Sequence, residues 1–158
     1  LCVDGCRVGV VCLTSMRRGG GFRAAFAGIA LGRAAAFGPS DIERLLGDAG
    51  IIRHRGKIEA SIANARAAQQ LIAQEGSLAS YIWRFLPPDS ERPKTCDFAT
   101  LRTLGTTPTA TRLSKDLKQR GFRFIGPHTA YALMQAMGLV NDHLGGCPTR
   151  AQVEASRG

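Results

Sequence analysis

Three stretches of this 158-residue chain carry residue types and spacings that could do chemistry. The first is "GFRFIGPHTAY", residues 121–131, where Gly121 and Gly126 bracket two aromatic residues and Pro127 follows at once. A glycine closing one helix can take positive φ, and a second glycine leaves the backbone uncovered before the next. Proline suits the first position of that next helix, where no N–H is needed. The free N–H groups of such a turn and of the helix starting at Pro127 could together hold a phosphate without any side-chain charge. Arg123 and His128 flank the turn, and Phe124 with Ile125 is expected to anchor it in the core. The same pattern would also serve as a purely structural helical hairpin.

The second stretch is "NDHLGGC", with His143 and Cys147 at H-x3-C spacing. Both are zinc ligands, but a structural zinc takes four, so two are half a site. The third is "IIRHRGK", which gathers Arg53, His54, Arg55 and Lys57. That cluster could meet phosphates or form a solvated basic patch.

The composition agrees with an anionic partner. Lys and Arg number 21 against 12 Asp and Glu, a formal net charge of +9. Nucleic acid is the natural counterpart of such a charge, with an acidic membrane surface second. With 44% hydrophobic and 21% charged residues the chain reads as globular and of single-domain size. Five cysteines, Cys2, Cys6, Cys12, Cys96 and Cys147, lack paired spacing, which fits a reducing cytoplasm better than a disulfide framework. The apolar start is broken by Asp4 and Arg7, too short to span a bilayer, and without the basic head of a signal peptide. No membrane association is therefore expected. Leu1, with no methionine ahead of it, suggests a fragment or a processed product.

Helices must position these groups, because no alternating strand pattern of useful length occurs. Ser40 and Glu43 form a capping-box pattern before Ile42, Leu45 and Leu46, and Gly50 closes that segment. A longer helix is predicted from about Lys57 to Ile72, with Ile58, Ile62 and Ala65 on its buried stripe. "SLASYIWRF" places Leu78, Tyr81, Ile82 and Phe85 at helical spacing before Pro87 and Pro88 stop it. Residues 87–108 read as a long surface loop. "TATRLSKDLKQR" is a charged amphipathic helix with Leu113 and Leu117 inward, ended by Gly121. Tyr131, Met134 and Met137 read as core. The expected fold class is all-α.

Two long stretches carry more than physics. "DAGIIRHRGKIEASIANARA", residues 48–67, and "LSKDLKQRGFRFIGPHTAYALMQAMGLVNDHLGGC", residues 113–147, resemble the type I 3-methyladenine DNA glycosylases. The resemblance runs from about residue 1 to Cys147. It implies an all-α helix-hairpin-helix glycosylase domain over residues 1–147, followed by a tail at 148–158. It also implies base-excision repair: hydrolysis of the glycosidic bond of 3-methyladenine in double-stranded alkylated DNA, by a monomer. Gly121, Arg123, Gly126 and Thr129 would then form the DNA backbone clamp.

By the same resemblance, "VDGCRVGVVC" at residues 3–12 lies on the family's base-contacting segment. Asp4 stands at the position of the family's glutamate, the implied catalytic carboxylate. Cys12 takes a tryptophan position in the base pocket. Val10 takes the place of a leucine that plugs the gap left by the flipped nucleotide, and Arg7 replaces a glutamine with a phosphate-attracting charge. His143 and Cys147 become the C-terminal half of a zinc clasp whose other ligands precede the residue where this chain starts, so weak zinc binding is expected. Two functions follow: a glycosylase, or a helix-hairpin-helix module that binds DNA without chemistry.

Overall fold

The computed structural model describes residues 19–156, and every regular element among them is helical. In chain order these are α1 (Gly19–Ala25), a 3-10 turn (Ala27–Ile29), α2 (Leu31–Ala35), α3 (Pro39–Gly47) and α4 (Arg55–Glu75). After them come α5 (Leu78–Trp83), a 3-10 turn (Asp89–Glu91), α6 (Phe98–Leu101), α7 (Pro108–Gln119), α8 (Pro127–Ala136) and α9 (Pro148–Ala155). None of the described helices is long and apolar enough to cross a membrane.

The fold is organised around α4, whose 21 residues span about 32 Å at the α-helical rise. His54 caps it by accepting the Lys57 N–H at 3.3 Å, and Gly76, at φ +78°, ends it. Its first half packs Ile58 and Ile62 against Phe22, Phe26, Leu45 and Ile51. Its second half packs Leu71 into a larger core with Tyr81, Ile82, Leu113, Leu117, Phe122, Ile125, Met134 and Leu139. Between the two, Ala65 meets Ala34 and Ala35 of α2, and the absence of larger side chains lets the two helices approach closely. Arg66 holds that contact by donating to the carbonyls of Ala35 and Phe37, each at 2.8 Å.

The structure corrects several expectations. The helix expected to start at Ser40 starts at Pro39, and the Gly38 N–H donates to the Asp41 carboxylate at 3.1 Å. Glu43 does not close a capping box but meets Arg55 at 2.6 Å, because the start of α4 carries the nearest cation. Within the segment expected as an irregular surface loop, Glu91 reaches α7 and accepts the Thr109 N–H at 3.0 Å and its hydroxyl at 2.9 Å. Its carboxylate thus satisfies helix-start donors and sits at the positive end of the helix dipole. The expected tail at 148–158 contains α9, which is tied down: Arg150 donates to the carbonyls of Asn141 and His143, and Asn141 donates to the Arg150 carbonyl and to Glu154.

Candidate nucleic-acid interface

The turn between α7 and α8 is held at several points of its backbone. At the end of α7 the Phe122 N–H bonds the Leu117 carbonyl and the Gly121 N–H bonds the Lys118 carbonyl, both at 3.0 Å. With Gly121 at φ +88°, this is a Schellman termination. Phe122 and Leu117 pack in the same core, the hydrophobic contact that accompanies such an ending.

Beyond Phe122 two buried side chains hold the backbone. Asn64, on the inner face of α4 and 2% exposed, accepts the Arg123 N–H at 2.7 Å and donates to the Arg123 carbonyl at 3.0 Å. Ser114, on α7 and 1% exposed, donates to the Ile125 carbonyl at 2.7 Å. The Gly126 carbonyl accepts the Ala130 N–H at 2.9 Å as α8 begins. Three acceptors of the turn are thereby occupied. The N–H groups of Phe124, Ile125, Gly126, His128 and Thr129 have no protein acceptor among the described residues. Donors of the turn are left over beside Gly126, while the carbonyls of Arg123, Ile125 and Gly126 are occupied and those of Phe122 and Phe124 accept no protein donor among the described residues; a run of free N–H groups is the polarity an anion needs.

Phe124 departs from expectation. It is 44% exposed, whereas Phe122 and Ile125 are the buried anchors. Phe124 takes φ +57°, unusual for a residue with a side chain, and that backbone turn swings its ring out of the core. The ring lies over Gly56 at the start of α4. The start of α4 therefore borders the turn, bringing the "RHRGK" cluster beside it. Arg55 is engaged with Glu43 and Glu59, so it is chiefly an ion-pair partner.

The two glycines have different reasons to be glycine. Gly121 needs positive φ. Gly126, at φ −81° and ψ 171°, has a conformation open to any residue, and a Cβ added there would meet nothing within 4 Å. The protein's own packing gives no cause for a missing side chain at 126.

Arg123 is exposed, Thr129 is buried at 8% and can offer its main chain, and His128 is held by its Nδ1 against the Gly105 carbonyl. Tyr131 and Met134 are core, whereas Met137 lies 37% exposed at the helix end. The Tyr131 hydroxyl donates to Asp142 at 2.7 Å. Burial, and then that carboxylate, push its pKa up.

His143 Nδ1 and Cys147 Sγ lie 3.9 Å apart just before α9. The Thr149 hydroxyl and then its N–H, both bonded to the sulfur, lower the Cys147 pKa below the usual thiol value. No group of three or more possible metal ligands occurs among the described residues. Asp4, Arg7, Val10 and Cys12, expected at the base pocket, plug and DNA contact, lie outside the described residues.

Sequence reasoning missed Asn64 and Ser114. Each sits at a buried register of an amphipathic helix, Asn64 beside Ala65 and Ser114 beside Leu113, where a polar residue must have a partner. That signal could have found them.

Similarity to known proteins runs along most of the chain. The family model described as methyladenine glycosylase matches residues 1–151. DNA-3-methyladenine glycosylase 1 of Escherichia coli (strain K12) is 40% identical over 148 residues, covering 93% of this chain and 78% of that protein. A crystal structure of 3-methyladenine DNA glycosylase I superposes with a TM-score of 0.84 at 39% identity, covering 93% of this chain and 80% of the other. A variant of 3-methyladenine DNA glycosylase I in complex with 3-methyladenine gives a TM-score of 0.85 at 29% identity, covering 94% and 79%. With the helical fold and the glycine-bracketed turn in place, this extent of agreement means that the chain belongs to the methyladenine glycosylase family.

Proposed function

We propose that this chain is a DNA repair glycosylase that hydrolyses the N-glycosidic bond of 3-methyladenine in alkylated duplex DNA, gripping the DNA backbone with the α7–α8 turn. The observation that carries the grip is Gly126: an ordinary backbone conformation, open space where its Cβ would be, and unbonded N–H groups on either side. A phosphate oxygen placed there would meet free N–H donors at the N-terminus of α8. Arg123 and the basic start of α4 add the charge that draws the polyanion in.

A base inside a duplex is out of reach, so the nucleotide must be flipped out. N3-methylation leaves the adenine cationic in the nucleotide, so it departs readily as C1′ becomes electron-poor and water adds there. The protein's task is then to orient the flipped base, exclude bulk water and stabilise positive charge, which one carboxylate can do. Asp4 is proposed as that carboxylate, with Val10 as plug, Cys12 in the pocket and Arg7 toward a phosphate. Losing the tryptophan face at Cys12 removes stacking of about 1–3 kcal/mol per base.

His143 and Cys147 are proposed as two ligands of a structural zinc. A tetrahedral zinc with bonds of about 2.3 Å to sulfur and about 2.0 Å to nitrogen sets such donors about 3.5 Å apart. The 3.9 Å separation and the thiolate-favouring Thr149 bonds suit that role. Zinc would clasp this corner of the chain and take no part in the hydrolysis.

The test is release of free 3-methyladenine from methylated duplex DNA by this chain and by its Asp4→Glu and Asp4→Asn variants. Release that survives in Asp4→Glu and is lost in Asp4→Asn supports the assignment. Tight DNA binding with no base release from any form would instead favour the DNA-binding module.

A further inference from the structure

We infer that Asn64 and Ser114 are positioning residues of the DNA clamp: from behind the turn, they bind its carbonyls inward and so fix it as an array of donors. The inference rests on the phosphate-gripping function proposed for the turn.

Three observations converge on it. Asn64 is nearly inaccessible, yet both ends of its amide serve one residue's backbone, accepting from the Arg123 N–H and donating to the Arg123 carbonyl. Ser114, equally buried, takes the Ile125 carbonyl. Between these points Phe124 adopts φ +57° with an exposed ring, a conformation a side chain disfavours and that surrounding contacts must impose.

Without the two side chains, the Arg123 and Ile125 carbonyls would need other donors. A peptide plane can supply them by rotating, which exchanges the outward positions of neighbouring N–H and C=O groups. A carbonyl oxygen then faces the incoming phosphate and repels it. Asn64 and Ser114 remove that alternative, one from α4 and one from α7. Neither touches the DNA, so neither is a catalytic residue.

The role predicts a specific kinetic signature. Asn64→Leu keeps the size of the side chain and removes both hydrogen-bonding groups. Ser114→Ala removes one donor. Affinity for undamaged duplex DNA, followed by fluorescence anisotropy, should fall about tenfold in Asn64→Leu and about threefold in Ser114→Ala. Because the lost contacts come from uncharged N–H groups, the slope of log affinity against log salt should stay that of the parent. On methylated DNA, KM should rise by the same factors while kcat stays within about twofold, because a contact made equally in ground and transition states is lost. All measurements are made well below each variant's unfolding midpoint. A purely structural role would lower that midpoint and leave affinity and KM alone.

Gly126→Ala, measured alongside, separates the two proposals. If Gly126→Ala weakens binding and the two buried variants do not, the positioning role is refuted while the clamp stands. If none of the three weakens binding, the clamp itself falls and the positioning role with it. Should Asn64→Leu fail to fold, unchanged affinity and KM in Ser114→Ala alone overturn the inference, and the threefold change in both supports it.

Discussion

Replacing Gly126 by alanine should make the protein more stable and a poorer DNA binder. The backbone there sits at φ −81° and ψ 171°, which alanine adopts freely, and the new methyl would touch nothing within 4 Å. Restricting the unfolded chain at such a compatible position stabilises a fold by about 0.4–1 kcal/mol. The methyl does, however, stand on the backbone where a phosphate oxygen would approach the N–H groups of Gly126, His128 and Thr129. Losing one hydrogen bond to a charged group is worth about 1.5–3 kcal/mol, which is roughly a 10- to 100-fold change in dissociation constant. Gly126→Val, bulkier at the same point, should lose more. Gly121→Ala shows the opposite sign in stability: at φ +88° its Cβ is strained by about 1–2 kcal/mol, so the unfolding midpoint falls. Urea unfolding midpoints and anisotropy titrations between 50 and about 200 mM salt read both effects. If Gly126→Ala binds duplex DNA like the parent across that range, the turn does not hold a phosphate.

Stability should fall steeply in alkali. Tyr81 and Tyr131 are held protonated in the fold, first by burial and then by Asp116 and Asp142. Their folded pKa values lie above the unfolded value of about 10, so the unfolded state gives up protons first and stability is lost as pH rises past about 10. Urea midpoints from pH 8 to about 11.5 should show this, and Tyr131→Phe should reduce the slope; a slope unchanged by that substitution would contradict it. Leu113→Ala, fully buried between α7 and its neighbours, should lose about 2–5 kcal/mol in the same assay. Added zinc should slow alkylation of Cys147, and His143→Ala should abolish that protection; an alkylation rate indifferent to zinc would argue against the metal half-site.

Much of the fold was readable because α4, α5 and α7 carry their apolar residues at helical spacing and stop at glycine or proline. The turn between α7 and α8 was readable for the same kind of reason: Gly121 and Pro127 mark where one helix must end and the next begin. What failed depended on contacts distant in sequence. Which phenylalanine of "GFRF" enters the core is decided by the Schellman ending, which points Phe122 at Leu117, and by the positive φ of Phe124. Glu43 fits a capping box in the sequence and Glu91 falls in a stretch that reads as surface loop, yet each finds its partner on another element, Arg55 on α4 and Thr109 on α7. Residues 31–35 and 148–155 are helices too short for a periodic signal, stabilised by Arg66 and Arg150 binding carbonyls at their ends or flanks.

The Asn64 contact bridges 59 residues of sequence, so the α7–α8 hairpin does not contain everything that shapes it. Cut out as a peptide, or grafted onto another helical scaffold, the hairpin would take Ser114 along and leave Asn64 behind. Its sequence would be portable and its geometry would not. During synthesis α4 emerges first, so the template is already present when the hairpin appears. A chain released before α7 would have the basic start of α4 but no shaped grip, and its attraction to DNA would be that of any cationic polypeptide.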